Sequence, residues 1–240
     1  MIERHLMKIR ARDALSVEEE QAIRSALGEV RDVPAGQTVI RANEELTRST
    51  LLLSGLMSRF KDLRNGQRQV TELHVPGDFA DLHSFTLKRL EHDVVTLTPC
   101  RIVTVPHENL TRITEQYPHL TRIYWFSTNL DAAIHREWAV SLGRRTAIAR
   151  VAHLFCELYV RLEIVGLTTG GGAYGLDLTQ AELSECLGLT AVHVNRVLRE
   201  LREQGVVEFR GGRVVIQDMA ELRKIAEFDP SYLYLEPRAR

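Results

Sequence analysis

Between Thr190 and Arg213 the chain sets out side chains suited to reading a polyanion. Arg196 carries two parallel N–H donors that match guanine O6 and N7, and Asn195 matches adenine N6 and N7. Val192 offers apolar contact alone, for instance with a thymine methyl group. Thr190 and the adjacent backbone amides suit a phosphate, and His193, at the flank of this group, suits phosphate better than a base edge. Arg199 extends the same set, and Arg210 and Arg213 follow it.

Those groups act together only if a rigid element points them one way. At 100° per residue, Val194, Val197, Leu198 and Leu201 gather on one face of a helix, leaving Val192, Asn195, Arg196 and Arg199 opposite. Thr190 is a good N-cap and Gly205 a good stop. Upstream, Thr179 and Glu182 form a capping box, so a first helix spans about 180–187 and ends at Gly188. Two helices joined by a glycine-containing turn predict a helix-turn-helix. Val206–Phe209, Gly211-Gly212 and Arg213–Ile216 then read as a β-hairpin, which makes the unit a winged helix with Arg210 and Arg213 at its tip. The competing reading is a solvated helix face without nucleic acid, since 190–213 holds five arginines against three glutamates, a modest excess. The order helix, turn, helix, hairpin favours DNA.

A net charge of −1, from 31 basic and 32 acidic side chains, excludes binding to nucleic acid or anionic membrane by bulk charge, so a local patch must do it. The 240 residues, 44% hydrophobic and 26% charged, fit one large or two modest globular domains. Three scattered cysteines, Cys100, Cys156 and Cys186, argue against a disulfide framework or clustered metal centre and for buried packing in a reducing compartment. No run approaches the roughly 18 apolar residues of a membrane span, which fits a soluble, unexported, cytoplasmic protein.

Towards the amino terminus, Ser16 and Glu19 form another capping box, opening a helix that ends near Gly28. Short β-rich runs follow at 37–40, 50–53, 56–63, 69–75, 93–97 and 101–105, and predict a small antiparallel roll. Asn65-Gly66 predicts a hairpin with a type I′ turn, which needs positive φ at both central residues. From 108 to 142 the period becomes helical, with Pro118 in a first turn. Leu120, Ile123, Ser127, Leu130 and Ile134 form a seam expected to pair with a second copy, an ordinary monomer core helix being the other reading. Gly143 suggests a hinge, and the glycine-rich 166–175 lacks the lysine of a phosphate loop and reads as a surface loop. The tail from Asp229 to Arg240 is expected to pack irregularly.

The Pro34-Ala35-Gly36 to Ser54-Gly55 segment, Asn65-Gly66, Pro76-Gly77-Asp78-Phe79, the long helix and the stretch from Leu178 to Leu198 together resemble the Crp/Fnr superfamily of transcription regulators over nearly the whole chain. The resemblance implies an α+β architecture: an amino-terminal double-stranded β-helix (jelly-roll) sensor domain of the cyclic-nucleotide-binding type at 1–107, a dimerisation helix at 108–142, and a winged helix-turn-helix at 143–240. It further implies a cytoplasmic homodimer on palindromic double-stranded DNA, RNA polymerase as partner if it activates, and an effector in the roll. Where that family carries a glutamate four residues before the arginine matching Arg196, this chain has Val192, which implies a different half-site. The roll lacks the phosphate-binding Arg-Ser or Arg-Thr pair near 78–93, where Glu91 and Asp93 would repel a phosphate, so cyclic AMP is not expected. The amino-terminal cysteine cluster of the iron–sulfur branch is missing as well.

His74, His83 and His92 fall in the roll on different segments with no compact ligand spacing, so no metal residue and no cofactor is assigned. No nucleophile elbow, HExxH or phosphate loop supports catalysis, and no catalytic residue is assigned. The alternative retained is a ligand-sensing signalling dimer acting through a protein partner.

Overall fold

The computed structural model describes residues 1–238, so the tail expectation at 239 and 240 lies outside the described residues. The chain divides into two compact units, one of Met1–Phe60, Leu73–Ala133 and the segment from Leu233 onward, the other of Lys61–Glu72 and Ile134–Tyr232.

The first unit opens with α1 (Glu3–Arg10) and α2 (Val17–Ser25), followed by β1 (Val30–Val33), β2 (Thr38–Ile40), β3 (Arg48–Ser54), β4 (Met57–Asp62), β5 (Arg68–His74), the short α3 (Ser84–Leu87), β6 (Asp93–Thr96) and β7 (Cys100–Pro106). Helices α4 (His107–Gln116) and α5 (Pro118–Arg144) follow, α5 ending in the second unit. The strands form sheets of order β1-β7-β3 and β2-β6-β4-β5. Val33, Ile40, Leu52, Met57, Leu90, Val94 and Ile102 make one core of the roll. Strand alternation turns Leu51, Leu53, Val103 and Val105 to the other face, where they join Leu6 and Ile9 of α1, Ile23 of α2, Leu110 and Ile113 of α4, and Leu120, Ile123 and Tyr124 of α5. Each fully buried leucine contributes about 1.5–3 kcal/mol relative to exposure, which is why β3 is buried along almost its whole length.

The Ser16–Glu19 capping box is present as the sequence predicts. Helix α1 was not predicted; its buried Ile2, Leu6 and Ile9 are interleaved with charge. It docks at Gly77, whose φ is +94° and where a Cβ would meet the Arg4 carbonyl at 2.8 Å. His5 Nδ1 lies 3.0 Å from the Gly77 carbonyl oxygen. In the β4–β5 hairpin only Gly66 has positive φ, the Gly66 amide donates to Leu63 and the Leu63 amide to Gln67. This corrects the type I′ expectation: the loop is a three-residue turn closed by a glycine in the left-handed region.

In the second unit α6 (Ala147–Ile164) is followed by β8 (Thr168–Thr169), β9 (Ala173–Gly175), α7 (Gln180–Leu187), α8 (Ala191–Glu203), β10 (Val207–Arg210), β11 (Arg213–Ile216) and α9 (Met219–Ala226). The sheet order is β10-β11-β9-β8. The glycine-rich segment is therefore half of a sheet rather than a loop, because β9 pairs with β11 and the buried Tyr174 donates its hydroxyl to the Phe155 carbonyl at 3.0 Å. Gly143 does not interrupt α5; the break falls at Arg145, where Thr146 caps α6. One glycine inside a helix costs about 1 kcal/mol, too little to end it against a cap three residues on. The fully buried Glu157 carboxylate accepts from Trp138 Nε1 at 3.1 Å, Arg161 at 3.0 Å and the Tyr232 hydroxyl at 2.8 Å, which compensates its desolvation. The tail forms a short 3-10 turn at Pro230–Leu233, and the Leu233 carbonyl, in the first unit, accepts two hydrogen bonds from Arg12.

Candidate nucleic-acid interface

Thr179 accepts from the Glu182 amide, and the Glu182 carboxylate accepts from the Thr179 amide at 2.7 Å, fixing the start of α7. Gly188, at φ 60° and ψ 39°, ends α7 in the left-handed region. Two side chains far away in sequence satisfy the last carbonyls of α7: Gln69 donates to Glu185 at 2.9 Å and Arg150 to Leu187 at 3.1 Å. Neither contact carried a sequence signal, since each joins separate elements. Thr190 then accepts from the His193 amide at 3.2 Å and starts α8.

Helix α8 has the two faces its sequence predicts. Val194, Val197 and Leu201 are buried and Leu198 half-buried. Thr190, Val192, Asn195, Arg196 and Arg199 are exposed, Val192 to 80%, while His193 is half-buried. Among the described residues, the Arg196 and Asn195 side chains make no hydrogen bond or ion pair; Arg199 approaches Glu203 at 3.9 Å. The first-turn amides of Ala191 and Val192 have no intrahelical partner by construction, and the helix dipole favours an anion there. The wing turns through Gly211 and Gly212, both at positive φ, between the paired Arg210 and Arg213. The two-residue turn with both φ values positive thus occurs here rather than at Asn65-Gly66. Arg210 is exposed, and Arg213 donates to Thr169 Oγ1 at 3.0 Å.

The five residues of the expected dimer seam differ in burial. Leu120 and Ile123 sit in the core of their own unit, Ile134 is also buried, and Ser127 and Leu130 are half-buried. Apolar periodicity located residues that must be covered; here the chain itself covers three of them. The exposed line on α5 passes through Arg122, Trp125, Asn129, Arg136, Ala139 and Gly143, with half-buried Ala132 between, in alternating steps of three and four. Trp125 is 68% and Val140 49% exposed.

All three cysteines are buried and free, and burial raises the Cys156 thiol to about 12 and lifts Cys100 and Cys186 also. In the roll, Asp93 accepts the Ala42 amide at 3.0 Å and Arg89 is exposed. The roll's buried arginine is Arg59 of β4, missed in sequence because it stands inside a strand. It donates to both carboxylate oxygens of Asp131 at 3.1 and 3.3 Å and to the Ala80 carbonyl at 3.0 Å. Among the described residues no helix is long and apolar enough to cross a membrane.

An antiparallel roll with a long helix, joined to a winged helix whose second helix presents unpaired polar groups, defines a DNA-binding transcription regulator with an amino-terminal sensor-type domain. The profile of the cyclic nucleotide-binding domain matches residues 30–117, and that of the Crp-like helix-turn-helix domain matches 149–225. A probable transcriptional activator of Rhizobium leguminosarum is 30% identical over 198 residues, covering 81% of this chain and 80% of that protein. The transcriptional activator protein FnrL of Cereibacter sphaeroides is 29% identical over 216 residues, covering 88% and 86%. The solved structure of FixK2 from Bradyrhizobium japonicum shares the fold, with a TM-score of 0.75 at 22% identity over 82% of this chain and 96% of that one. The chain belongs to the Crp/Fnr family of transcription regulators.

Proposed function

We propose that the protein acts in the cytoplasm as a homodimer on an inverted-repeat DNA site, with α8 of each copy in a major groove. Arg196 donates to guanine O6 and N7, Asn195 pairs with adenine, and Val192 meets a thymine methyl group. Thr190, the first-turn amides and His193 take a phosphate, Arg199 supports them, and Arg210 and Arg213 follow the backbone from the wing. The functional division is a sensor roll to residue 107, a dimerisation helix at 108–142 and a DNA-binding unit from 143. RNA polymerase is the further partner if the protein activates, and a small effector of the roll is not required by this reading.

The observation that carries it is the asymmetry of α8: one face is packed against its own unit, and the other holds Arg196 and Asn195 with no internal partner among the described residues. Fluorescence anisotropy on the protein's preferred duplex tests it. Arg196→Ala should weaken binding by about 1–3 kcal/mol and relax preference at one base pair of each half-site. Equal weakening on every duplex would move Arg196 to phosphate. For the dimer, the exposed Trp125 line replaces the predicted Leu120–Ile134 seam. Trp125→Ala should weaken self-association by about 2 kcal/mol in sedimentation equilibrium, as for a buried interface tryptophan, and an unchanged dimer would contradict this placement.

A further inference from the structure

The roll contains a second cluster that DNA binding does not use. His83, just before α3, and His92, just before β6, are nine residues apart in sequence, yet their ring centroids lie 5.6 Å apart with planes inclined at 47°. They stand on different segments, as the sequence places them, and the roll folds both segments to one place. Each ring has a carboxylate on its Nδ1 side: Glu91 Oε1 is 3.0 Å from His92 Nδ1, and Asp131 Oδ2 is 3.9 Å from His83 Nδ1.

An ionised carboxylate only accepts, so Glu91 places the His92 proton on Nδ1 and leaves a lone pair on Nε2. That Nε2 is buried and has no hydrogen-bond partner, in a residue only 6% exposed. The nearby Arg59 is tied to Asp131 and the Ala80 carbonyl. A buried Nε2 without a hydrogen-bond partner, a second imidazole beside it, and a carboxylate hydrogen-bonded behind His92 resemble the outer shell that orients histidines on a metal ion.

We propose that His83 and His92 bind one divalent transition-metal ion in the roll, oriented by Asp131 and Glu91 and open to further ligands. Imidazole donors suit zinc, nickel or copper rather than magnesium or calcium. Two protein ligands leave coordination positions for water or a small anionic ligand, so such a site is suited to sensing.

The test is equilibrium dialysis of chelator-treated, full-length protein against Zn2+, with bound metal counted per chain. One Zn2+ per chain is expected, lost in His92→Ala and in His83→Ala. The Glu91 side chain is 70% exposed, so Glu91→Gln leaves the fold intact and should weaken Zn2+ binding about 10–100-fold. If His92→Ala fails to fold by circular dichroism, Glu91→Gln decides. Unchanged Zn2+ affinity in Glu91→Gln, equal loading of the wild type and the folded histidine variants, or no uptake by the wild type would overturn the proposal. None of these readouts involves DNA, so the site stands or falls independently of the proposed operator contacts.

Discussion

Two arginines, Arg59 in the roll and Arg196 on α8, show what the same side chain does in two settings. Arg59 is 3% exposed and its guanidinium is held by Asp131 and the Ala80 carbonyl. Arg196 is exposed and has no internal partner among the described residues. A charge taken out of water must be paired within the fold, whereas a charge left on the outer face of a well-packed helix remains available to a ligand. The first type supports structure and the second is free for the proposed recognition, and α8 divides its residues the same way: Val194 and Leu201 are buried, Asn195 and Arg196 exposed.

The contrast is broken most strongly at Arg59. Arg59→Ala should destabilise the roll by about 3–5 kcal/mol in urea unfolding, because it leaves Asp131 without its counter-charge. A loss near zero would show that the ion pair is dispensable. Arg196→Ala should do the reverse, changing unfolding free energy by no more than about 0.5 kcal/mol while costing about 1–3 kcal/mol on DNA. Thr179→Ala removes the hydroxyl that caps α7 and should lower stability by about 1 kcal/mol, weakening DNA binding only as far as it unsettles α8.

The smallest effect sharpens the comparison through pH. His119 has Glu19 Oε1 at 2.6 Å from Nδ1 and Asp13 Oδ2 at 3.3 Å from Nε2. Burial opposes its charge, but the hydrogen bonds to Glu19 and then Asp13 outweigh burial and hold its pKa above the ordinary value. The folded state therefore binds this proton more tightly than the unfolded chain. Its stabilisation is complete below about pH 6.5 and fades as pH rises through the elevated folded value. The stability gap between wild type and His119→Gln should be wider at about pH 6 than at about pH 9, and a gap that widens with pH would refute the pairing.

The helix-turn-helix was legible because its signals are local. Thr179, Glu182, Gly188 and Thr190 act within one turn of their own positions, and a clean apolar stripe fixes which face of α8 is buried. The roll strands were legible for the same reason, from alternation and turn residues. What remained hidden depends on partners far away in the chain. Helix α1 needs the room that Gly77 leaves, β8 and β9 need β11, and the α5 periodicity identified buried residues without revealing what buries them. The meeting of His83 with His92, and of Arg59 with Asp131, is likewise created by tertiary folding.

The central claim is that α8 reads bases through Arg196 from two symmetric copies. Selection of bound duplexes from a random pool by the purified protein, in parallel with Arg196→Ala, tests it most directly. The wild type should enrich an inverted repeat with one guanine per half-site that the variant no longer enriches. An asymmetric or featureless pool, or the same repeat with the same guanine from both proteins, would contradict it.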